Sequence, residues 1–331
     1  MKIPPLYSVT PEMLALIAKI ESNLLYIASL NLPKPLKDKI QRVSLLKSSL
    51  FSARIEGNPL ELSDVQSGDK KSQKKLEIFN ILQALQFIEK KLQKGKINNE
   101  LLLRLHKYVL KNLSPDAGKF RLEPSAIFNQ AGVAVYVPPP PKYIPKLLIR
   151  LFSYINSPKE KFPLVCAFIA HLIFEEIHPF LDGNGRVGRL LIAAIIKNRG
   201  WDLTTIVPFE EYLDGHKEDY YFYLTHGMQN TNDYLLFMLD AFWQQTQTIK
   251  AQIEEELAED QKVFLPPRQE EIYNVVRDHK VVSFDMIRRR FTKVPERTLR
   301  YDLKKLLDRG LIEKSGETRG RYYRIKSKQL F

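Results

Sequence analysis

Apolar residues recur every three or four positions along most of this 331-residue chain, and this spacing constrains the fold more than any other feature of the sequence. The first such segment has Thr10 where a helix cap is expected and Pro11 at the first helical position. Its apolar residues share one face: Leu14, Ile17, Ile20, Leu24 and Ile27. The same period covers most of the first hundred residues and the region from Lys146 to about Glu259. We therefore predict a mostly α-helical protein.

The segment GKFRLEPSAIFNQAGVAVYVPPPP, residues 118–141, departs from helical spacing. Turn residues from Asn129 to Gly132 separate two short runs of β-prone residues, which predicts a β-hairpin. The run from Pro138 to Pro141 is typical of a stiff connector.

Cysteine content and apolar run length predict a soluble, cytoplasmic protein. Cys166 is the single cysteine and cannot form an internal disulfide, which fits a reducing compartment. The longest apolar run, FPLVCAFIAHLIF, is shorter than the roughly 18 to 20 residues that a membrane span needs, so no membrane partner is expected. The N-terminal MKIPPLYSV lacks the apolar region of a secretion signal.

The stretch HPFLDGNGRVGR, residues 178–189, contains three of the chain's 14 glycines. Gly183, Gly185 and Gly188 form the G-x-G-x-x-G pattern of dinucleotide-binding proteins, but that fingerprint follows a β-strand within a βαβ unit. The run before it, Leu164 to Ile177, is too long for a buried strand and has helical spacing. The match to the fingerprint is therefore coincidental.

The residue types in this stretch nevertheless predict a phosphate site. Gly183, Asn184 and Gly185 allow consecutive backbone N–H groups to point inward, at the N-terminus of the helix predicted to follow. Arg186 and Arg189 would share a face of that helix and hold phosphate groups.

Two further residues extend this prediction to chemistry. Asp182 offers a hard oxygen ligand, and one carboxylate together with phosphate oxygens is the usual way to hold Mg²⁺. His178 is the only neighbouring group that titrates near neutral pH. A base beside an activated phosphate implies phosphoryl or nucleotidyl transfer to a hydroxyl group.

A metal site is the alternative interpretation of the same histidine. His171, Glu175 and His178 are spaced so that one helix face could present all three to a metal ion. However, Pro179 disfavours helical backbone at His178, so the shared face is lost. His171 is then expected to be a buried, hydrogen-bonded core residue.

The whole stretch resembles the signature of the Fic family, HPFx(D/E)GN(G/K)RxxR, at every specified position. The resemblance extends over roughly Ile97 to Asp260 and includes the predicted hairpin and the segment EEYLDGHKEDYYFYL. It implies a Fic-type helical core with a β-hairpin flap, and transfer of AMP from ATP to a Ser, Thr or Tyr hydroxyl of a target protein. The family branch with Lys at the position of Gly185 phosphorylates its target, so this glycine indicates the AMP-transfer branch.

The resemblance also implies roles for individual residues. His178 would deprotonate the target hydroxyl, and Asp182 would bind Mg²⁺. The phosphates of ATP would lie on Gly183, Asn184, Gly185, Arg186 and Arg189. Three flap residues would pair with the target backbone by strand addition: Val133, Val135 and Val137. Tyr220 and Tyr221 could flank the nucleobase, although aromatic pairs at helical spacing more often belong to a core.

A second motif, SARIEGN from Ser52 to Asn58, places Glu56 near the end of a helix, where the helix dipole disfavours a carboxylate. Ser52, Glu56 and Gly57 resemble the inhibitory motif of Fic proteins, (S/T)xxxE(G/N), and they lie N-terminal to the core. By this resemblance Glu56 would pair with Arg189 and exclude the γ-phosphate, and Ser52 would help to dock the helix.

The last fifth of the chain is strongly basic. It carries twice as many Lys and Arg residues as Asp and Glu residues, within a chain whose formal net charge is +13. Its three short helices and its hairpin, around Gly316 to Gly320, resemble a winged helix-turn-helix domain. Arg319, Arg321 and Arg324 would lie on the wing.

The third of these helices is the candidate DNA-binding element. Its buried stripe is formed by Leu299, Leu303, Leu306 and Leu307. Its outward residues that could reach bases or phosphates are Arg297, Arg300, Tyr301 and Lys304. Asp302 and Asp308 interrupt the basic face, so a protein-docking or dimerisation role stays open for this domain.

Three regions are therefore expected: an N-terminal helical region with the inhibitory helix (1–96), a Fic catalytic core (97–260) and a winged-helix domain (266–331). A weakly structured acidic stretch, Glu254 to Gln261, would precede the last region. The predicted function is a protein adenylyltransferase that uses ATP and Mg²⁺, is inhibited by Glu56 and modifies target proteins, itself included. Two alternatives stay open, a DNA-binding regulator whose Fic core senses nucleotide and an enzyme that removes AMP with water positioned by Glu56. A homodimer is also left open.

Overall fold

The structure is a computed structural model that describes residues 1–30, 32–66, 72–92, 95–128, 134–201, 207–262, 265–315 and 322–326. The protein is mostly helical, as predicted. The helices in the described ranges are α1 (Pro11–Ser29), α2 (Lys34–Ile55), α3 (Leu62–Gln66), α4 (Gln73–Lys91), α5 (Asn99–Val109), α6 (Ile144–Ile155), α7 (Pro163–Ile177), α8 (Asn184–Asn198), α9 (Glu210–Gly215), α10 (Lys217–His226), α11 (Thr231–Lys262), α12 (Pro267–His279), α13 (Phe284–Arg290) and α14 (Glu296–Asp308). A short 3-10 helix, Pro141–Tyr143, precedes α6.

Two small antiparallel sheets accompany the helices. The strands are β1 (Ile127–Phe128), β2 (Ala134–Tyr136), β3 (Val281–Ser283), β4 (Ile312–Ser315) and β5 (Tyr322–Ile325). β1 pairs with β2, with Ile127 opposite Tyr136. The other three strands form a sheet in the order β3-β5-β4, with Val281 opposite Arg324 and Ile312 opposite Ile325.

Local sequence sets the starts of several helices. The Thr10 hydroxyl accepts a hydrogen bond from the Met13 amide at 3.4 Å, so Thr10 is the N-cap of α1 as predicted. Asn98 caps α5 in the same way through the amide of Leu101, at 3.0 Å.

The central helix of the molecule is α7, because it is apolar around its whole circumference. Every residue from Leu164 to Phe174 is buried, and α7 packs against both α6 and α8. The HPFLDGNGRVGR motif connects the end of α7 to the start of α8. It therefore rests on the most rigidly packed part of the core.

The chain divides into two compact units, Met1–Ile253 and Glu254–Phe331. The first unit has one continuous hydrophobic core, with buried residues from Met13 to Phe242. The second unit has a core of its own, with buried residues from Leu265 to Tyr323. None of the helices in the described part of the chain has the length and apolar character that a bilayer crossing requires.

The acidic stretch from Glu254 to Gln261 is helical, and the expectation of weak structure there was wrong. α11 continues to Lys262. The reason is that Glu, Ala, Leu and Gln dominate this stretch and are strong helix formers, whereas the first helix-breaking residue is Pro266.

Candidate active site

His178, the first residue of the motif, is partly buried and has an unusual backbone conformation. α7 ends at Ile177, and His178 is in the left-handed region with φ 47° and ψ 61°. Its amide donates to the Phe174 carbonyl at 2.9 Å, which makes it the helix C-cap. Pro179 explains why the helix stops here, since the residue before a proline avoids helical backbone. His178 thus leaves the face of α7 that carries His171 and Glu175.

The His178 imidazole has the properties of a general base. Its Nδ1 atom is buried and has no hydrogen-bond partner within the described residues. Burial lowers the pKa of His178 to about 4, against the opposing effect of the Glu175 backbone carbonyl. The Arg121 charge lowers the pKa further, and the Glu56 and Asp182 charges raise it. The ring is therefore neutral at neutral pH and can accept a proton.

The loop after His178 is held by side chains that bond to its backbone. The Asn184 amide group accepts from the Phe180 N–H at 3.0 Å and donates to the Phe180 carbonyl at 2.9 Å. His106 Nδ1 accepts from the Gly118 amide at 2.9 Å, so its Nε2 carries the proton that is donated to the Asp182 carbonyl at 3.0 Å. Asn184 thus fixes the loop with its side chain, and phosphate binding by its backbone amide stays a prediction.

The two glycines at the start of α8 have different surroundings. Gly183, the N-cap, has φ 81°, a left-handed conformation that favours glycine. At Gly185 a side chain would collide with the Glu56 carboxylate. The nest predicted from the sequence is therefore bordered directly by Glu56.

Asp182, the one acid of the motif, is well exposed, with 65 % of its side chain accessible. Its Oδ1 accepts from the Gly183 amide at 2.6 Å and from Arg186 Nη2 at 2.7 Å. Its Oδ2 has no partner in the described part of the chain and can accept a ligand. No group of three or more His, Cys, Asp or Glu side chains among the described residues is arranged to hold a metal ion.

Arg189 is fully enclosed by the end of α2. Its side chain is 1 % exposed. Its Nε donates to the Ser52 hydroxyl at 2.9 Å, and its Nη2 donates to the Ser52 carbonyl at 2.8 Å and to Glu56 Oε1 at 2.9 Å. Burial alone would lower the pKa of Arg189, but the Glu56 carboxylate raises it above its usual value. Ser52, Glu56 and Arg189 thus come together as the resemblance implied.

Arg186 is also held by carboxylates. It forms ion pairs with Asp182 and with Glu77 of α4, a residue that the sequence analysis did not single out. The other oxygen of Glu77 accepts from the side-chain amide of Asn58 at 2.8 Å. Glu77 therefore connects Arg186 to the residue that follows the Glu56-Gly57 pair.

The backbone at the end of α2 explains why Gly57 follows Glu56. Gly57 has φ 92°, and its amide donates to the Arg54 carbonyl at 2.9 Å. The Asn58 amide donates to the Ala53 carbonyl at 3.1 Å. These two bonds form a Schellman motif, which needs a left-handed residue and stops the helix at Glu56.

The two tyrosines predicted near the nucleobase differ in exposure. Tyr220 is 1 % exposed, and its hydroxyl lies 2.8 Å from His171 Nε2, so in this structure neither face of its ring is free. The hydroxyl of Tyr221 donates to the Ile55 carbonyl at 3.1 Å, and part of its ring is exposed. Nucleobase contact stays a prediction for both residues.

The hairpin predicted ahead of the motif is present as β1 and β2. The Tyr136 hydroxyl donates to the Glu176 carbonyl at 2.7 Å, which attaches β2 to the end of α7. Val135 lies in β2 and Val137 is exposed just after it. Val133 lies outside the described residues, and strand addition stays a prediction.

The outward face of α14 carries the residues predicted to contact DNA. All four predicted contact residues are exposed: Arg297, Arg300, Tyr301 and Lys304. Arg300 pairs with Glu296 at 3.5 Å and lies over the Phe284 ring. Arg319, Arg321 and the turn from Gly316 to Gly320 lie outside the described residues, while Arg324 of β5 pairs with Glu313.

Asp302 does not interrupt this basic face, contrary to the expectation from the sequence. It is 1 % exposed and accepts from Arg268 at 2.5 Å and from Gln269 at 3.0 Å, both in α12. The reason is its position next to Leu303 on the buried side of α14, where a carboxylate must be paired. Asp308 is exposed at the helix end.

Comparison with known proteins identifies the central part of the first unit. Residues 96–196 match the family model described as "Fic/DOC family". The chain is 31 % identical over 185 residues to "Protein adenylyltransferase Fic" of Drosophila willistoni, an alignment that covers 52 % of this chain and 35 % of that protein. The protein of the same name from Drosophila ananassae is 31 % identical over 182 residues, or 51 % and 34 % of the two chains. The chain thus spans about a third of the length of these relatives.

Solved structures show the same fold. A Fic family protein from Desulfovibrio desulfuricans G20 matches with a TM-score of 0.72 at 23 % identity, over 99 % of both chains. A Fic-1 fragment from C. elegans matches with a TM-score of 0.58 at 23 % identity, over 74 % of this chain and 72 % of that one.

Proposed function

We propose that this chain, in which residues 96–196 carry a Fic/DOC domain, transfers AMP from ATP to a Ser, Thr or Tyr hydroxyl of a target protein. The observation that carries the proposal is the neutral His178 imidazole, held at the C-cap of α7 in the loop that leads into the N-terminus of α8. His178 takes the proton of the hydroxyl, whose oxygen attacks the α-phosphorus. The bond between the α-phosphorus and its bridging oxygen breaks, and pyrophosphate leaves.

The phosphate groups bind at the start of α8 in this proposal. The amides of Gly183, Asn184 and Gly185 lie at a helix N-terminus, where backbone donors and the helix dipole favour anions. Arg186 and Arg189 supply the positive charge once their present carboxylate partners are displaced.

Asp182 is the residue that would hold Mg²⁺. Its exposed carboxylate has an unpartnered oxygen, and a single carboxylate with phosphate oxygens suits this ion. When bound, Mg²⁺ neutralises charge on the phosphates.

The arrangement around Arg189 supports inhibition by Glu56. The Glu56 carboxylate borders Gly185 and pairs with Arg189, so a phosphate cannot occupy the same place. A partly buried pair of this kind is worth roughly 1 to 3 kcal/mol of coupling, which corresponds to about 5- to 150-fold in activity. The structure therefore describes the inhibited form in this proposal.

Transfer of label from ATP to protein tests both the proposed AMP transfer and the proposed inhibition by Glu56. The wild type, Glu56→Gly, and Glu56→Gly with His178→Ala are incubated with ATP labelled at the α- or the γ-phosphate, and protein-bound label is measured. We expect Glu56→Gly to transfer α-label to protein about 5- to 150-fold faster than the wild type. The labelled proteins should include the variant itself. The variant that also lacks His178 should incorporate none.

Other outcomes would contradict the proposal in distinct ways. Incorporation of γ-label would mean phosphorylation, and equal rates in wild type and Glu56→Gly would remove the inhibitory role. If no variant incorporates label but the wild type releases AMP from AMP-modified protein, the chain is a de-AMPylating enzyme.

A second candidate function, DNA binding, is favoured by one observation in the second unit. Asp302 is buried, so the exposed face of α14 around Tyr301 is more basic than the sequence suggested. The order of helices and the β3-β5-β4 sheet fit a winged helix, in which the third helix enters the major groove.

Binding of a labelled DNA duplex by the full chain at low salt tests this function. Arg297→Ala with Lys304→Ala should weaken binding about tenfold or more and lower the salt slope by about two, because two phosphate contacts are lost. Lys90→Ala with Lys91→Ala removes the same charge from the exposed end of α4 and should change binding little. Absent binding, or equal loss in both variants, would leave a protein-contact role for the second unit.

A further inference from the structure

Arg121, in the loop after α5, has an unusual environment for a cation. Its side chain is 2 % exposed, and no Asp or Glu in the described ranges forms an ion pair with it. Instead each nitrogen of the guanidinium donates to a backbone carbonyl. Nε donates to His178 at 2.7 Å, Nη1 to Glu123 at 3.0 Å and Nη2 to Pro139 at 2.6 Å.

One of these carbonyls belongs to His178, and the other two belong to the segments just before and just after the hairpin. Glu123 precedes β1, and Pro139 follows β2. The Arg121 amide also donates to the Pro179 carbonyl at 2.9 Å. A single residue therefore ties the hairpin to the backbone on both sides of the His178–Pro179 peptide bond.

This contact stabilises a backbone conformation that is otherwise unfavourable. Left-handed backbone at a residue such as His178 costs about 1 kcal/mol or more. The last carbonyls of α7 also lack partners within the helix. Arg121 supplies a donor to His178 and brings a positive charge to the negative end of the helix dipole.

We propose that Arg121 is a positioning residue for the transfer reaction, which fixes the direction of the His178 imidazole and couples the hairpin to it. The inference rests on the proposed function. The resemblance described above implies that the hairpin binds the target protein. Arg121 would then hold the target hydroxyl and the His178 imidazole at a fixed distance and angle.

Lysine cannot replace this arrangement, although it keeps the charge. The guanidinium is a planar fork whose nitrogens reach three carbonyls on three segments, whereas an ammonium group donates from one point. Arg121→Lys therefore separates geometry from charge.

The test compares Arg121→Lys with a matched control in the Glu56→Gly background. Arg199 also donates to three carbonyls, those of Ile155, Ser157 and Glu160, but it has no contact with His178. The rate of self-modification is measured against ATP concentration. We expect Arg121→Lys to lower the maximal rate about 10- to 100-fold and to leave the half-saturating ATP concentration within about threefold. Arg199→Lys should lower the melting temperature and leave the maximal rate nearly unchanged.

Equal losses of maximal rate in the two variants would overturn the proposal, since they would indicate a general structural role. So would a loss in Arg121→Lys that is matched by an equal rise in the half-saturating ATP concentration.

A second readout does not depend on AMP transfer. Arg121→Gln and Arg199→Gln are titrated by NMR of ¹⁵N-labelled imidazoles, with His178→Ala identifying the signal. All samples carry Glu56→Gly. We expect the pKa of His178 to rise only in Arg121→Gln, because only this variant loses the cation that neighbours His178. An unchanged pKa would overturn the inference. If the Glu56→Gly parent transfers no AMP while the pKa rises as expected, the proposed function fails and the positioning of His178 stands.

Discussion

Two buried carboxyl groups, Glu175 and Glu210, lie in the field of Arg189. Glu175 lies 3.7 Å from His171 Nδ1, but burial lowers the pKa of His171 to about 3, so this histidine is neutral and offers no counter-charge. One oxygen of each carboxyl group has no hydrogen-bond partner in the described part of the chain. Burial raises the pKa of Glu175 to about 8 and that of Glu210 to about 7, and the Arg189 charge only partly offsets this. Glu175 is therefore largely protonated at neutral pH, and Arg189 has Glu56 as its counter-ion.

A stability measurement checks the protonation of Glu175. The folded protein keeps this proton between about pH 4.5 and pH 8, while the unfolded chain loses it, so the free energy of unfolding falls as pH rises through this window. Glu175→Gln removes this dependence, and the loss between pH 5 and 8 should shrink by at least about 1 kcal/mol in urea unfolding of the first unit. Glu218→Gln, at an exposed position, is the control. Parallel curves for wild type and Glu175→Gln would show that the proton is absent.

Individual functional residues could be predicted from the sequence only where they lie close together in one short stretch. Glycines, proline and arginines at fixed spacings within twelve positions indicated the phosphate site and the end of α7 at His178. Glu77, His106 and Arg121 could not be found in this way. Their partners at the site lie 109, 76 and 57 positions away along the chain, and only the folded core brings them together.

At the scale of elements, α2 is tied to the helices that follow the motif. Arg54 pairs with Asp214 of α9 at 2.9 Å, and Lys47 pairs with Glu211 of the same helix at 3.0 Å. The Tyr221 hydroxyl of α10 bonds to the Ile55 carbonyl. These contacts hold the last turns of α2 against α9 and α10, so they contribute to the placement of Glu56.

Weakening one of these contacts should partly release the inhibition. Asp214→Asn leaves Arg54 without its partner on α9, and a half-buried pair of this kind is worth about 1 kcal/mol. We expect the wild-type rate of self-modification to rise about two- to fivefold, well below the effect of Glu56→Gly. Glu61→Gln is the matched control, because Glu61 also pairs with Arg54 but is exposed and belongs to the segment just after α2. A similar rise in both variants would mean that the tie to α9 does not matter.

Elements were predicted more reliably than their ends or their buried polar groups. The helical spacing of apolar residues predicted α1, α2, α4 and α7, since a helix must bury its apolar face. It gave no sign that Asp302 would turn inward, because the pairing with Arg268 depends on how α12 packs on α14. It also failed for the end of α11, where charge was taken as a sign of weak structure.

At the scale of the whole molecule, α2, the proposed inhibitory helix, is not a separate body. The predicted boundary at residue 96 falls within one continuous core, to which α2 contributes Leu50, Ala53 and Ile55, each 1 % exposed or less. Periodicity finds such helices but does not tell which of them share a core. The second unit, in contrast, has a core of its own, and it begins at Glu254, ahead of the predicted boundary at residue 266.

The burial of Ala53 and Ile55 limits how Glu56 can move. Withdrawal of all of α2 would expose the core, whereas unwinding of the Schellman turn from Glu56 to Asn58 would expose little apolar surface. Opening is then a local fluctuation of a few residues. If it costs about 3 kcal/mol, each molecule spends roughly one part in 150 of its time open. The basal rate of a population would measure this fraction of time, and any partner that prefers the unwound turn would raise it without moving the rest of the fold.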